Sequence, residues 1–247
     1  MPPTVCVIIP TFNHFEYARR AVQSLLRCPL RSAKLRYLLV DDASPEWDEV
    51  DWKTWPEPDC RKLRYSRRGG LTRSWNAGLR EAISIGAEYA VCTNSDVLFS
   101  PHWFEPLADA LGNGFHLVGP VTNAPGDAPA QDVLHYLAGT ELVTDSAKKI
   151  DSIARALRNA ATAAVPAPIN GFFMMAKTEC WRQGAFSRHC VFDPAFPLVG
   201  NETELQERWR KAGMVTGIVP SSFVFHYRSV SRPEGLMGKC GGGAFRR

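Results

Sequence analysis

Three short apolar runs constrain this chain most. Val5-Cys6-Val7-Ile8-Ile9, Tyr37-Leu38-Leu39-Val40 and Tyr89-Ala90-Val91-Cys92 are β-favouring and uninterrupted by charge. Such runs read as buried strands, and the first is apolar enough to be covered on both faces. Each passes directly into polar residues: Pro10-Thr11-Phe12-Asn13, Asp41-Asp42-Ala43-Ser44 and Thr93-Asn94-Ser95-Asp96. Helical spacing follows the first run, with Ala18, Ala21, Val22, Leu25 and Leu26 on one face, and Cys28-Pro29 stops it. Asn13 and Glu16 have the spacing of a capping box at its start. A second helix is expected from about Arg73 to Ile85. Strands alternating with helices indicate an α/β sheet, and in such sheets ligands bind beyond the carboxyl ends of the strands.

The remaining chain reads less sharply. Residues 45 to 60 hold Trp47, Trp52 and Trp55 among prolines without a period, and are expected to be a loop. Leu63 to Ser66 and Phe115 to Val121 read as strands. Ser100-Pro101 reads as a cap leading into a helix over His102 to Leu111. Residues 124 to 168 carry a basic amphipathic stretch from Ser146 to Ala163, with Ile150, Ile153 and Leu157 on its apolar side. That stretch is expected to be an inserted helix over the site or a partner, with a plain surface helix as the alternative. Gly171 to Ala176 reads as a buried strand, with Thr178 capping a short helix that ends near Gly184. Another helix carries Glu202 and Glu204 in its first turn and stops at Ala212 before Gly213. Val215 to Val219 and Ser222 to Phe225 read as two strands, with His226 emerging from the second.

Several residues carry chemistry. A lone carboxylate past a strand end, Asp96, suits a hard cation shared with phosphate oxygens, although a helix or turn cap needs the same residue type. Asp41 and Asp42 suit hydrogen bonds from a ribose or base, or simply cap the next turn. Arg67, Arg68 and Arg73 surround Gly69-Gly70, and guanidinium groups match diphosphates. The Gly-Lys-Ser/Thr ending of a P-loop is missing there. A net charge of +4 is compatible with anionic ligands and too weak to argue for nucleic acid. Seven cysteines, odd in number and without a C-x-x-C pair, point to free thiols in a reducing compartment. No apolar stretch approaches the roughly 20 residues of a membrane span, and no charged region opens a signal peptide. The expected setting is cytoplasmic, with peripheral membrane contact left open.

In this order the motifs resemble family-2 glycosyltransferases, from Val5 to about Ser231 with an interruption at 124 to 168. Val7 to Asn13 is similar to that family's opening strand and nucleotide loop, and Val40 to Ser44 to its acidic pair. Gly70 to Gly78 resembles its arginine and asparagine segment, Asn94-Ser95-Asp96 its Asp-x-Asp motif, and Gly200 to Leu205 its acceptor-side acidic motif. Asn94 replaces the first acid, which leaves Asp96 the sole carboxylate. Asn201-Glu202 replaces Glu-Asp.

The resemblance implies an A-type, Rossmann-like α/β fold: a mixed sheet flanked by helices, one domain with an inserted helical segment. Residues 1 to 123 would form the nucleotide-sugar half, 124 to 168 the insertion, 169 to 234 the acceptor half, and 235 to 247 a flexible tail. It implies an inverting transfer from a nucleotide-diphosphate sugar, a UDP-sugar by default, to a hydroxyl on a glycan, lipid-linked or protein acceptor. Pro10, Thr11, Asn13, Asp41, Asp42, Arg73, Asn76, Asn94, Ser95 and Asp96 would bind the donor. Asp96 and His226 would hold Mn2+ or Mg2+, and Glu202, with Glu204 as substitute, would be the base. Two rivals stand: a sugar-phosphate nucleotidyltransferase, disfavoured because no glycine-rich phosphate loop follows the first strand, and a degenerate nucleotide-sugar-binding scaffold, which Asn94 and Asn201 would permit.

Overall fold

A computed structural model describes residues 1–57, 60–137 and 144–228. Its parallel portion is β1 (Thr4–Thr11), β2 (Lys34–Asp41), β3 (Arg61–Arg64) and β4 (Tyr89–Thr93), in the order β3-β2-β1-β4. Helices α1 (Phe15–Arg27) and α2 (Leu71–Ser84) pack on opposite faces of this part. The unbroken apolar composition of β1 follows from that double cover: Cys6 and Ile8 face the α2 side, and Val5, Val7 and Ile9 the α1 side.

The sheet continues through β8 (Phe173–Lys177), antiparallel to β4, then β6 (Leu117–Val121), antiparallel to β8. Beyond these, β9 (Thr216–His226) runs parallel to β6, and β5 (Val97–Phe99) pairs antiparallel with β9 at the edge. The two-residue β7 (Val165–Pro166) also pairs with β9. Two reversals restore the original direction. The carboxyl ends of β1, β2, β4, β6 and β9 and the amino end of β8 therefore share one edge of the sheet. Helices α3 (Glu105–Gly112), α4 (Ala147–Ala160), α5 (Thr178–Gln183) and α6 (Asn201–Lys211) complete the layers.

Several local expectations are corrected. The capping box does not form: His14 is the N-cap of α1, in the left-handed region at φ 52, without a side-chain cap bond. The backbone N–H groups of Asn13 and His14 instead donate to Ser44 Oγ and Glu46 Oε2. The loop after β2 contains short 3-10 helices at Pro45–Glu49 and Trp52–Thr54, where Trp47, Trp52 and Trp55 pack with Phe15. Ser100 caps nothing; its hydroxyl donates to the Phe223 carbonyl at 2.6 Å, and α3 begins at Glu105. Thr178 lies inside α5, and its hydroxyl donates to the Ala87 carbonyl.

The two expected late strands are one, β9, irregular in register where Pro120 pairs Val219 but Val121 pairs Phe223. Such a bulge leaves β-strand geometry on either side of residues that break the apolar pattern. Within 124 to 168, Ile150, Ile153, Ala154 and Leu157 of α4 are buried, while Lys148, Lys149, Arg155 and Arg158 are exposed. Arg20–Asp145 and Arg27–Asp151 pairs fasten this segment to α1. The expected tail, 235 to 247, lies outside the described residues.

Among the described residues the cysteines are free, and burial pushes the Cys6 thiol up to about 12 and the Cys28 thiol to about 11. These buried thiols behave as small hydrophobes, not nucleophiles. No described helix is long and apolar enough to cross a membrane.

Candidate functional site at the carboxyl edge of the sheet

The shared edge assembles most of the residues singled out in the sequence. Pro10 and Thr11 end β1, and the Thr11 hydroxyl donates to Asp41 at 3.2 Å. Asp41 is fully buried and also accepts from the Ser44 N–H and hydroxyl. Asp42 accepts from the N–H groups of Gly69 and Gly70, at 3.0 and 2.7 Å, and pairs with Arg73. Both acids are thus spent within the chain. They tie together the loops that follow β1, β2 and β3.

Arg73 also donates to the Arg67 carbonyl and lies over the Tyr65 ring at 3.8 Å. Arg68 lies over Phe12 at 3.9 Å. Gly70, at φ 90, presses against the Pro197 carbonyl, where a Cβ would sit 2.4 Å from that oxygen. These loops border a cavity of about 490 Å3 between Ala43-Ser44-Pro45 and Arg64-Tyr65-Ser66. Two kinds of observation set this rim apart. Ala43 sits at φ 65 and Asn13 at φ 56, conformations non-glycine residues rarely take. Asn13 Oδ1 and Arg73 Nε are buried without a hydrogen-bond partner, and orphaned polar atoms require an explanation.

Asn76 stands apart. It is buried, and its side chain binds backbone only: Nδ2 donates to the Phe192 carbonyl at 3.0 Å, and Oδ1 accepts from Val191 N–H at 2.8 Å and Phe192 N–H at 2.9 Å. The structure makes it a clamp on the loop before α6, not a member of the rim.

The second half of the edge centres on Asp96. The Asn94 N–H donates to the Phe172 carbonyl at 2.8 Å, which fixes the Asn94-Ser95-Asp96 turn after β4. The short strand β5 then places Val97 opposite His226. Asp96 Oδ1 lies 3.3 Å from His226 Nε2, and both side chains are nearly fully buried. Asn94 Nδ2 is 3.5 Å from the same nitrogen. His226 Nδ1 is 3.3 Å from the Ala124 carbonyl, and the Phe172 ring stacks on the imidazole at 5.0 Å and 17°. A carbonyl only accepts, so the Ala124 contact suits a proton on Nδ1, and Nε2 is left facing a carboxylate. Such a contact calls for positive charge between the two atoms.

A divalent cation fits. The pair offers one carboxylate oxygen and one imidazole nitrogen, a donor set that first-row divalent metals accept. Neighbouring octahedral ligands at bonds of about 2.1 Å would be about 3.0 Å apart, close to the separation seen. Two protein ligands are few, however, and among the described residues no group of three or more His, Cys, Asp or Glu side chains converges. The remaining positions would fall to substrate phosphate and water.

Glu202 stands in the first turn of α6, and its chain neighbour Asn201 reaches Thr72 through a side-chain hydrogen bond of 2.9 Å. A Cβ on Gly171 would sit 3.2 Å from three carbons of Glu202. Gly171 is adjacent to Phe172, whose ring covers His226. One dipeptide therefore touches both Glu202 and His226. Glu204 faces away from this arrangement: its carboxylate is gripped by Arg208 at 2.7 and 3.0 Å, and Arg208 also holds the Gly184 and Val191 carbonyls. A larger cavity of about 620 Å3, lined in part by Arg31, His102 and Arg158, contains none of these residues.

The model of the family "Glycosyl transferase family 2" matches residues 6–178. The chain belongs to that family. The matched region takes in the rim loops and Asp96 and ends before α6 and His226. Among solved structures it is similar to GalNAc-T7 with UDP, GalNAc and Mn2+, at a TM-score of 0.65 and 18% identity over 91% of this chain and 44% of that one. It is also similar to the mannosyltransferase PcManGT from Pyrobaculum calidifontis in complex with GDP-Man and Mn2+, at 0.60 and 18% over 94% of this chain and 59% of that one. The chain therefore spans roughly half of either structure, and at that identity the likeness is one of fold: the mixed, helix-flanked sheet of A-type glycosyltransferases. No curated protein matches the sequence.

Proposed function

We propose that this protein is a metal-assisted, inverting glycosyltransferase that moves a sugar from a nucleoside-diphosphate sugar to a hydroxyl acceptor. The observation that carries the reading is the meeting of Asp96 and His226 at 3.3 Å on the sheet edge, with Glu202 and His226 both touching Gly171-Phe172. The two similar structures hold UDP or GDP-Man with Mn2+, which supports a donor of that class. The division into a nucleotide half, an insertion at 124 to 168 and an acceptor half belongs to the same proposal.

The nucleoside would enter the rim cavity between Ala43 to Pro45 and Arg64 to Ser66, with Asn13 and Arg73 on the neighbouring loops. Pro10 and Thr11 would contribute from the end of β1, and Asp41 and Asp42 would act by holding the surrounding loops. The diphosphate would lie toward Asn94, Ser95 and Asp96. A divalent cation, Mn2+ or Mg2+, held there by Asp96 and His226 would offset charge on the departing diphosphate. In the transfer the acceptor oxygen bonds to the anomeric carbon as the carbon–oxygen bond to the diphosphate breaks. Glu202 would take the hydroxyl proton as that bond forms. The nucleoside diphosphate leaves with the bonding pair.

The test is thermal unfolding against UDP, GDP, ADP and CDP, each with and without Mn2+. A ligand at a hundredfold excess over its Kd raises stability by about 2.7 kcal/mol. The expected result is a metal-dependent rise with one nucleotide that disappears in Asp96→Ala. In Glu202→Gln the rise should persist while sugar transfer fails. Absence of any nucleotide response would instead favour a degenerate scaffold.

A further inference from the structure

On the side of β9 away from β5, the turn after β6 holds His226. Ladder pairing between β6 and β9 ends at Val121 opposite Phe223, short of His226. Beyond it the Asn123 side chain takes the place of a strand. Its Nδ2 donates to the His226 carbonyl at 3.0 Å, and its Oδ1 accepts the His226 N–H at 2.9 Å. One amide thereby engages both backbone groups of one residue, which fixes position and orientation together. The next residue, Ala124, presents its carbonyl to His226 Nδ1 at 3.3 Å. Phe172 closes the ring face. On the other flank the Tyr227 N–H donates to the Asp96 carbonyl at 2.9 Å, so a shift of His226 would carry into Asp96.

We propose that Asn123 is a positioning residue for the cation site: it holds His226 so that Nδ1 meets the Ala124 carbonyl and Nε2 faces Asp96, and so sets divalent-cation affinity. The proposal rests on the metal reading above. Groups that orient a ligating histidine commonly change metal affinity by 10- to 100-fold when removed. A purely local backbone role would leave that affinity alone.

The experiment titrates Mn2+, with and without UDP, into wild type, Asn123→Ala, His226→Ala and the double variant, and reads free Mn2+ by electron paramagnetic resonance. Asn123→Ala is expected to weaken Mn2+ binding 10- to 100-fold. Because Asn123 acts through His226, the double variant is expected to bind no more weakly than His226→Ala alone. In parallel, long-range 1H–15N spectra of the metal-free protein report the His226 tautomer, expected as Nδ1–H in wild type and mixed in Asn123→Ala. Should Asn123→Ala fail to fold, Asn123→Ser enters the cycle in its place. Binding within twofold of wild type in the Asn123 variant, or losses that add in the double variant, overturns the proposal while the metal reading stands. A wild type that binds UDP and no Mn2+ overturns both.

Discussion

Replacing Asn76 by Ala separates a structural clamp from a donor-binding residue. The side chain makes three hydrogen bonds to backbone at Val191 and Phe192, both of which are buried. Truncation strands two N–H donors and one carbonyl away from water. A typical intramolecular bond contributes about 1 kcal/mol net, and a buried group left without a partner costs about 1–3 kcal/mol. Three such groups sum to about 3–5 kcal/mol after partial relaxation, a large share of the roughly 5–15 kcal/mol that holds a domain folded. For a chain of this size the melting temperature should fall by roughly 10 °C. Urea unfolding followed by tryptophan fluorescence gives the stability loss, and calorimetric titration with UDP or GDP and Mn2+ below the transition gives the affinity of the folded fraction. The expected outcome is a large stability loss with nucleotide affinity within about twofold of wild type. A stable variant with much weaker nucleotide binding would refute the clamp and restore Asn76 to the donor site.

Two further outcomes are expected. In Gly78→Ala the new Cβ would meet Ile8 Cγ2 at 2.2 Å and Cγ1 at 2.9 Å, inside a fully buried core. Overpacking of about 1–3 kcal/mol outweighs a helix-propensity gain of about 1 kcal/mol, so the urea midpoint should drop, and a raised midpoint would contradict the packing. His102 is held below the usual histidine range by burial first and then by Arg158 and Arg31. The unfolded chain therefore takes up a proton at higher pH than the folded one, and stability should decline as pH falls through about 6.5 toward the lower folded value. His102→Asn, which tolerates the φ of 62 at this position, should flatten that part of the stability–pH curve. An unchanged slope would show that other groups produce it.

The motif order was legible along the chain because Thr11, Asn13, Asp41, Asp42, Asn94, Asp96 and His226 lie at or within a few positions of a strand's carboxyl end, and strand ends are announced by where apolar runs stop. Asp41, Asp42 and Asp96 were found that way. Their roles were not. Nothing local distinguishes an acid that meets a ligand from one that ties loops, and the structure spends Asp41 on Thr11 and Ser44, and Asp42 on Gly69, Gly70 and Arg73. Helical position alone does not separate Glu202 from Glu204, which share one turn; only the family resemblance put Glu202 first. The side chain that reaches Arg208 at the spacing of one turn is Glu204, while Glu202 packs at Gly171. Asn13 and Glu16 had the spacing of a capping box, but the left-handed backbone at Asn13 and His14 set the start of α1 instead.

By itself the sequence determined the α/β class, the first four strands, the two helices that cover them and the family, because all of these rest on local periodicity and short contiguous motifs. Only the tertiary structure decided how the late segments return to the same edge. The three-residue β5 is too short to carry a periodic signal, and the bulge in β9 hides one strand as two. Yet the pairing of those two strands is what sets Asp96 against His226, with Asn123 holding the histidine in place. Those partners are separated by more than a hundred positions in the chain, and no local pattern encodes which of them meet; the two reversals of the mixed sheet do.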